Sequence, residues 1–369
     1  MPFQPLFVFA ADLHLQPNAW VKHPTLSGDA YESFRQIVDY CIAAGQNLVL
    51  GGDIFDKKRP DPHSVRFFGQ QCARMLEADH VVTFVQGDHD YHPHVPWPTV
   101  SGMAVPLVGM SQTAGGYNVH GIDWTPRDQL SEALVAVPEG TDFLITHQAW
   151  SELQGIGQVE GSVANILHAN FLLTGDYHVS LQKRVTAEDG REILVISPGS
   201  TCMQSVDERY EKSFIVVGVE NGEICFEREP LLTRMKFELT YNTEQELIED
   251  LARGVMDGFA NDERLPQLPE SIRKPILRVT FNDEIPDAFD RIEAAASNRF
   301  HIFPNPQRIV DDVDVSFDEA PEGAFDTLLD ACRRLATDED HYNLAARLLR
   351  AEDPTVELET MFDDFRESL

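Results

Sequence analysis

The sequence predicts an α/β layered protein, followed by a smaller α+β unit and C-terminal helices. Three observations predict it. Over the first two-thirds of the chain, short apolar runs alternate with segments of helical apolar spacing, the mark of a strand–helix–strand sheet. The character shifts near Leu231, where two further strand–helix pairs begin. From about Phe317 only amphipathic helical stripes remain. The implied boundaries are 1–230, 231–315 and 316–369.

The first element is the apolar run PLFVFAAD, a strand. DAYESFRQIVDYCIAAG follows with apolar residues at Tyr31, Phe34, Ile37, Val38, Cys41 and Ile42, a helix that Gly45 ends. NLVLGGD is the next strand, PHSVRFFGQQCARMLEA the next helix and VVTFVQGD a third strand. TDFLITH, NFLLTGDYH and EILVISPGS are further strands, and SFIVVGVENGEICFERE is a hairpin turning at Asn221-Gly222. Beyond Leu231, TRMKFELTY is a strand and TEQELIEDLARGVMDGF one helix begun by Thr243. A Pro-rich stretch, Leu265–Pro275, leads to the strand KPILRVTFND, the helix IPDAFDRIEAAASN and the extended segment RFHIFPNPQRIV. Two stripes close the chain, Phe325, Leu328, Leu329, Cys332 and Leu335, then Tyr342, Leu344, Leu348 and Leu349.

With 369 residues, more than one domain is expected. Hydrophobic residues make up 43% and charged residues 24%, ordinary for a globular protein with a sizeable core. No apolar run has the length that spans a bilayer, and MPFQPLFVFAADLH has neither a basic n-region nor a small-residue cleavage site. The expectation is a protein without a membrane partner, in the cytoplasm, or in a host's cytoplasm for a chain of phage origin. Five scattered cysteines without a CxxC pair agree with a reduced compartment. The net charge of −32 is opposite to that of a free-standing nucleic-acid binder. Bound divalent cations or a basic partner would have to supply the attraction.

Five short motifs sit just past apolar strands: Asp12-Leu-His14, Gly52-Asp53-Ile-Phe-Asp56, Gly87-Asp88-His89-Asp90, His147 and Gly175-Asp176-Tyr177-His178. In open α/β sheets, sites form beyond the carboxyl ends of strands, so distant segments can meet there. Each motif alone is weak, and a lone strand-end His is more often structural. Together they place Asp and His repeatedly where a strand should end, and a shared metal site is the simpler account. Carboxylate and imidazole donors suit first-row divalent ions. Asp12, His14, Asp53, Asp88, His147, Asp176 and His178 are enough donors for two ions, which can clamp a phosphoryl group. His89, beside Asp88, is the candidate proton donor to a leaving oxygen, with Asp56 placed to hold its tautomer. His92 and Tyr177 are candidate substrate contacts; an exposed loop histidine is the commoner reading of His92, while for Tyr177 stacking on a base and packing in the core stand level. His94, beside His92, stands likewise, and His23 and His63 receive no role.

The ordered motifs resemble the calcineurin-like metallophosphoesterases and, within them, the SbcD-type DNA repair nucleases. ADLHL and GGDIFD match that pattern closely, and SPGSTCMQSVDERYEKSFIVVGV is similar to the SbcD-type stretch that follows the last motif. The resemblance implies a layered sandwich of two central sheets flanked by helices, with PILRVTF in a capping domain. It implies that Asp12, His14, Asp53 and His178 hold one metal, and Asp53, Asp88, His147 and Asp176 a second. His89 becomes the catalytic histidine and Asp56 its orienting residue. It further implies DNA phosphodiester hydrolysis, exonucleolytic and also endonucleolytic, with Mn2+ or, second, Mg2+. The implied partners are DNA, an SbcC-type coiled-coil ABC ATPase bound through the C-terminal helices, and a second copy of the chain.

This sequence departs from the family pattern at two positions: Asp88 replaces the usual Asn and Asp176 the usual His. Four carboxylates would then face two divalent ions, which favours the harder Mn2+ or Mg2+ over Zn2+. Two other functions fit parts of the pattern: a metallophosphoesterase acting on nucleotides or phosphoproteins, and a non-catalytic scaffold subunit. His89 and Asp56 speak against the scaffold, since a decayed site has no use for a proton donor and its holder.

Overall fold

The structure is a computed structural model. It describes residues 2–305 apart from 21–22, 93, 95, 101, 103, 109–110, 154–159, 283–284 and 286. The chain divides into the units Met1–Gln307 and Arg308–Leu369. The C-terminal stripes and the partner-binding role given to 316–369 lie outside the described residues.

The fold is the predicted α/β sandwich. The first six-stranded sheet runs, edge to edge, Glu223–Leu231, Lys212–Glu220, Gln4–Ala10, Leu48–Gly51, Val82–Val85 and Ala104–Pro106. From Gln4–Ala10 onward its strands are parallel, and the hairpin Lys212–Leu231 adds an antiparallel edge. The second sheet runs Leu181–Thr186, Glu192–Ser197, Phe171–Gly175, Phe143–His147, Tyr117–Ile122 and Ser111–Ala114, and its central four strands are parallel.

Period-two alternation builds the layers. Phe7 and Phe9 point between the sheets, where they meet Val49, Val85, Phe143, Leu173 and Ile196. Val8 and Ala10 point the other way, onto Phe34, Ile37, Val38 and Cys41 of helix Asp29–Ala44 and Phe68, Cys72 and Met75 of helix Pro62–Glu77. The outer face of the second sheet is covered by Leu130 and Leu134 of helix Arg127–Val135 together with Trp150 and Val163. Because the parallel strands are buried on both faces, they read as continuous apolar runs.

Gly45 ends its helix as expected, with φ +67. Asn221 and Gly222 both have positive φ between paired Glu220 and Glu223, as a two-residue hairpin turn requires. The helix expected from Thr243 to Phe259 is two: Glu244–Arg253 stops at Gly254, φ +66, and a second runs Val255–Ala260. An inward apolar stripe continues past the glycine, which is why spacing alone reads as one helix. The strands at 104–106, 111–114, 117–122 and 181–186 were not anticipated. They are short or mostly polar, and neighbouring strands rather than their own pattern hold them.

The third sheet consists of Lys236–Tyr241, Ile276–Phe281 and His301–Asn305. Its strands are parallel and joined through helices, so the internal pattern of this accessory unit is α/β and not the expected α+β. Leu26, Met203, Ile276 and Phe303 form a common apolar cluster that joins it to the sandwich. Arg234 does the same with charge: its guanidinium donates to Asp29 (2.9 and 2.8 Å) and to the carbonyls of Ser27, Ser271 and Lys274.

Burial, with Arg234 and Lys274 nearby, depresses His301 to about 4. An unfolded His titrates near ~6.5. Between these values the unfolded chain binds the extra proton, so this group destabilises the fold as pH falls from about 6.5 towards 4. His301→Phe should melt with a weaker pH dependence over that window than wild type. Parallel melting curves would contradict this. No helix among the described residues is long and apolar enough to cross a membrane.

Candidate metal centre

The five motifs meet at the carboxyl ends of parallel strands from both sheets, the place that the topology makes available. Main-chain bonds lock their loops together. Asp12 N–H donates to the Gly52 carbonyl (3.1 Å), His14 N–H to Asp53 (2.9 Å) and Leu15 N–H to Ile54 (2.9 Å). Thr201 N–H, just after Pro198-Gly199-Ser200, donates to the Asp12 carbonyl. Asp12, His14, Asp53 and Asp176 all have positive φ, between 45 and 74 degrees, a conformation costly for most residues and tolerated best by short polar ones. Four strained residues in one cluster mark a functional site.

The structure brings all seven proposed ligands together. Their donor atoms form overlapping groups, each within 4.8 Å: Asp12, His14 and His178; Asp12, Asp53 and His147; and Asp88, His147 and Asp176. A fourth group joins His89 to His14 and Asp53. Asp12, His14, Asp53 and His147 are nearly fully buried, and Asp88 and Asp176 partly so.

Each ring is oriented by its other nitrogen. His147 Nδ1–H donates to the Gly51 carbonyl at 2.8 Å, so Nε2 faces Asp53 Oδ2 (3.4 Å) and Asp88 Oδ1 (3.6 Å). His178 Nδ1 lies 2.9 Å from Glu208 Oε1, so its Nε2 faces His14 Nε2 at 3.2 Å. Two facing imidazole nitrogens repel unless a proton or a cation sits between them. Buried Asp12 Oδ2 and His147 Nε2 have no hydrogen-bond partner. Orphaned donors and acceptors of this kind are rare in a core, and here both belong to metal-ligand types. The residues fit divalent cations.

Crowding also perturbs the carboxylates. Burial raises Asp12. Burial would raise Asp53 too, but His147 and His14 hold it below the usual range. Asp176 is pushed up to about 6 by burial, despite His147 and with help from Asp12 and Asp88. Burial lowers His147, yet Asp53 and Asp88 lift it well above an ordinary imidazole. Cations bound among these groups would relieve the same crowding of carboxylates.

The glycines of the motifs are needed for close approach. A Cβ on Gly87 would lie 2.0 Å from Asp53 Oδ1, and one on Gly52 2.4 Å from His147 Nδ1. Gly87→Ala is expected to weaken Mn2+ affinity by ~10–100-fold, the range seen when groups around a ligand are displaced. Calorimetry showing wild-type affinity in that variant would contradict this packing.

One sequence expectation changes. Asp56 does not hold His89 with its carboxylate. Its main-chain carbonyl does so, accepting from Nδ1 at 2.9 Å, while Asp56 Oδ1 lies 3.5 Å from His14 Nδ1. The reason is the tight turn after Asp53, which aims the carbonyl at the ring. Tyr177, half-buried, donates its hydroxyl to the Leu153 carbonyl, which ties the tip of its ring to that backbone. His92 stands outside the donor groups, its main-chain N–H bound to Gln86 Oε1 (2.8 Å). His94 is exposed nearby.

Two residues were missed. Asp90, fully buried, accepts from Ile54 N (2.7 Å), Phe55 N (3.2 Å) and Gly87 N (2.7 Å), clasping the second and third motifs together. Its place in the third motif was the available signal. Glu208 has no local signal beyond lying four residues before Lys212.

Residues 5–180 match the sequence model of a family described as calcineurin-like phosphoesterase. The match spans just under half of the chain, and over that segment the chain is similar to the family. The matched segment contains the five strand-end motifs, the last through His178. The chain is also 23% identical, over 252 residues, to an uncharacterized metallophosphoesterase, YhaO, of Bacillus subtilis (strain 168); the match covers 60% of this chain and 59% of that relative. Among solved structures, TT1561 of Thermus thermophilus aligns over 60% of this chain and 97% of its own, with 15% identity and a TM-score of 0.39. Vacuolar Protein Sorting 29 from Cryptosporidium parvum aligns over 62% of this chain and 99% of its own, with 12% identity and a TM-score of 0.30.

Proposed function

We propose that this chain is a metallophosphoesterase and, within that class, a two-metal DNA nuclease, acting as an exonuclease with endonuclease capacity in DNA end processing. The observation that carries the reading is a cleft of about 960 Å3 beside the metal centre, lined by His178, Pro198, Ser200, Arg209 and Lys236. It leads from the last motif to the third sheet, and a ligand with phosphates beyond the scissile one would follow it.

Asp12, His14, Asp53 and His178 would hold one divalent cation, and Asp53, Asp88, His147 and Asp176 the other, with Mn2+ preferred. Such a pair supplies Lewis-acid polarisation of the phosphoryl oxygens and an activated water. His89, tethered through Nδ1 to the Asp56 carbonyl, keeps Nε2 for the leaving oxygen and delivers its proton there. The walls of the cleft hold the chain on either side of the reacting phosphate.

A second reading, a nucleotide or phosphoprotein phosphoesterase, is favoured by the acidic side chains of the same cleft, Asp207, Glu208, Glu211 and Glu238. Mn2+-dependent cleavage of end-labelled linear duplex DNA, compared with a cyclic nucleotide and a phosphopeptide, separates the two. The nuclease reading expects DNA to be cut fastest. Faster turnover of either small substrate, with intact DNA, overturns it.

The same proposal includes a homodimer and docking of an SbcC-type ABC ATPase through residues 316–369. Retention of that ATPase by the full chain, and its loss from a chain ending at residue 315, is the expected pull-down result.

A further inference from the structure

We propose that Glu208 is a positioning residue for the metal centre, and that the third sheet sets its place through Lys236. Glu208 touches no reacting atom. Its Oε1 lies 2.9 Å from His178 Nδ1, and its Oε2 accepts from Lys212 Nζ (2.6 Å), Ser200 Oγ (3.1 Å) and Gln204 N (3.2 Å). Lys212 is buried and also reaches Ser200 Oγ at 2.8 Å. Both oxygens are thus fixed, one on the imidazole and one in a closed polar network. A carboxylate so held orients the ring and selects the tautomer that leaves Nε2 free to bind.

The loop that carries Glu208 is gripped from the third sheet. Lys236, on strand Lys236–Tyr241, donates its ammonium to the carbonyls of Val206 (3.0 Å) and Glu208 (2.8 Å). Its side chain is 7% exposed. The ammonium also pairs with Glu238 Oε1 (2.8 Å), and its bonds to main-chain oxygens fix the backbone from which the Glu208 carboxylate reaches His178. A continuous chain of contacts therefore runs from the third sheet through Lys236, the 206–208 backbone and Glu208 to His178. This gives the accessory unit a role inside the metal site, whatever the substrate is.

The test is Mn2+ titration by calorimetry on the full chain, beside melting curves of the metal-free proteins. Glu208→Ala should weaken Mn2+ binding by ~10–100-fold. Glu208→Gln keeps an oxygen for His178 Nδ1–H and should lose less. Lys236→Met should weaken binding several-fold with Glu208 intact. If Glu208→Ala fails to fold, Glu208→Gln and Lys236→Met carry the decision. Wild-type Mn2+ affinity in the folded Glu208 variants, with or without a lowered melting temperature, overturns the positioning role. Wild-type affinity in Lys236→Met alone overturns the link to the third sheet. His178→Ala is the control: if it too binds Mn2+ as wild type does, the ligand assignment beneath this inference fails, whether or not DNA is the substrate.

Discussion

Alanine in place of His89 is expected to lower Mn2+-dependent phosphodiester hydrolysis by about 10²–10⁴-fold, the span typical of a positioned general acid. The ring is exposed at the rim of the centre and hydrogen-bonded through Nδ1, so its Nε2 can reach a leaving oxygen. It sits edge-on to His14, with ring centroids 5.1 Å apart. Since His89 also falls in one donor group with His14 and Asp53, the variant must be assayed for metal as well as for rate. Retained Mn2+ binding with lost turnover supports the proton-donor role. Loss of Mn2+ in proportion to the rate would make His89 a ligand instead. Asp56→Ala should do far less than His89→Ala to proton donation, because the atom that holds the ring is a main-chain oxygen.

Arg234→Met is expected to destabilise the fold by ~3–5 kcal/mol, the cost of removing one partner from a buried ion pair. Arg234 is 2% and Asp29 8% exposed. The substitution strands the Asp29 carboxylate and leaves three carbonyls without their donor. The Coulomb attraction of the pair is not what makes it large, since burying two charges costs much of what the pairing returns. The double variant Arg234→Met, Asp29→Leu should therefore recover a good part of the loss. Denaturant unfolding measures both. A single-variant cost within ~1 kcal/mol, the scale of an exposed pair, or a double variant as unstable as the sum of the singles, would show that the two groups are not coupled.

Much of this was legible in the sequence because the relevant physics is local. Parallel strands buried on both faces must be apolar runs, so their ends, and the Asp and His residues placed there, stand out. The sharp turns at Gly52 and Gly87 announce themselves by the same logic, although the reason for them, contact with His147 and Asp53, is visible only in three dimensions. What was not legible depends on partners far apart along the chain. Glu208 acquires meaning from His178, thirty positions earlier, and from Lys236 on another sheet. The Asp56 error has the same origin: spacing locates a residue near His89 but cannot say whether its carboxylate or its carbonyl makes the bond. The break at Gly254 was hidden because the apolar stripe continues through it. The polar strand Leu181–Thr186 borrows its structure from its neighbour and carries no pattern of its own.

The expectations about catalysis and metal binding rest on strand-end loops gathering paired divalent cations around a phosphoester. The most direct measurement is Mn2+ binding stoichiometry of the full chain by calorimetry, beside hydrolysis of bis(p-nitrophenyl) phosphate, for wild type and Asp53→Ala. Two ions per wild-type chain are expected, with hydrolysis abolished by chelator, and both readouts collapsing when the shared carboxylate is removed. A wild-type chain that binds no Mn2+, or an Asp53→Ala variant that binds and hydrolyses as wild type does, would contradict the account.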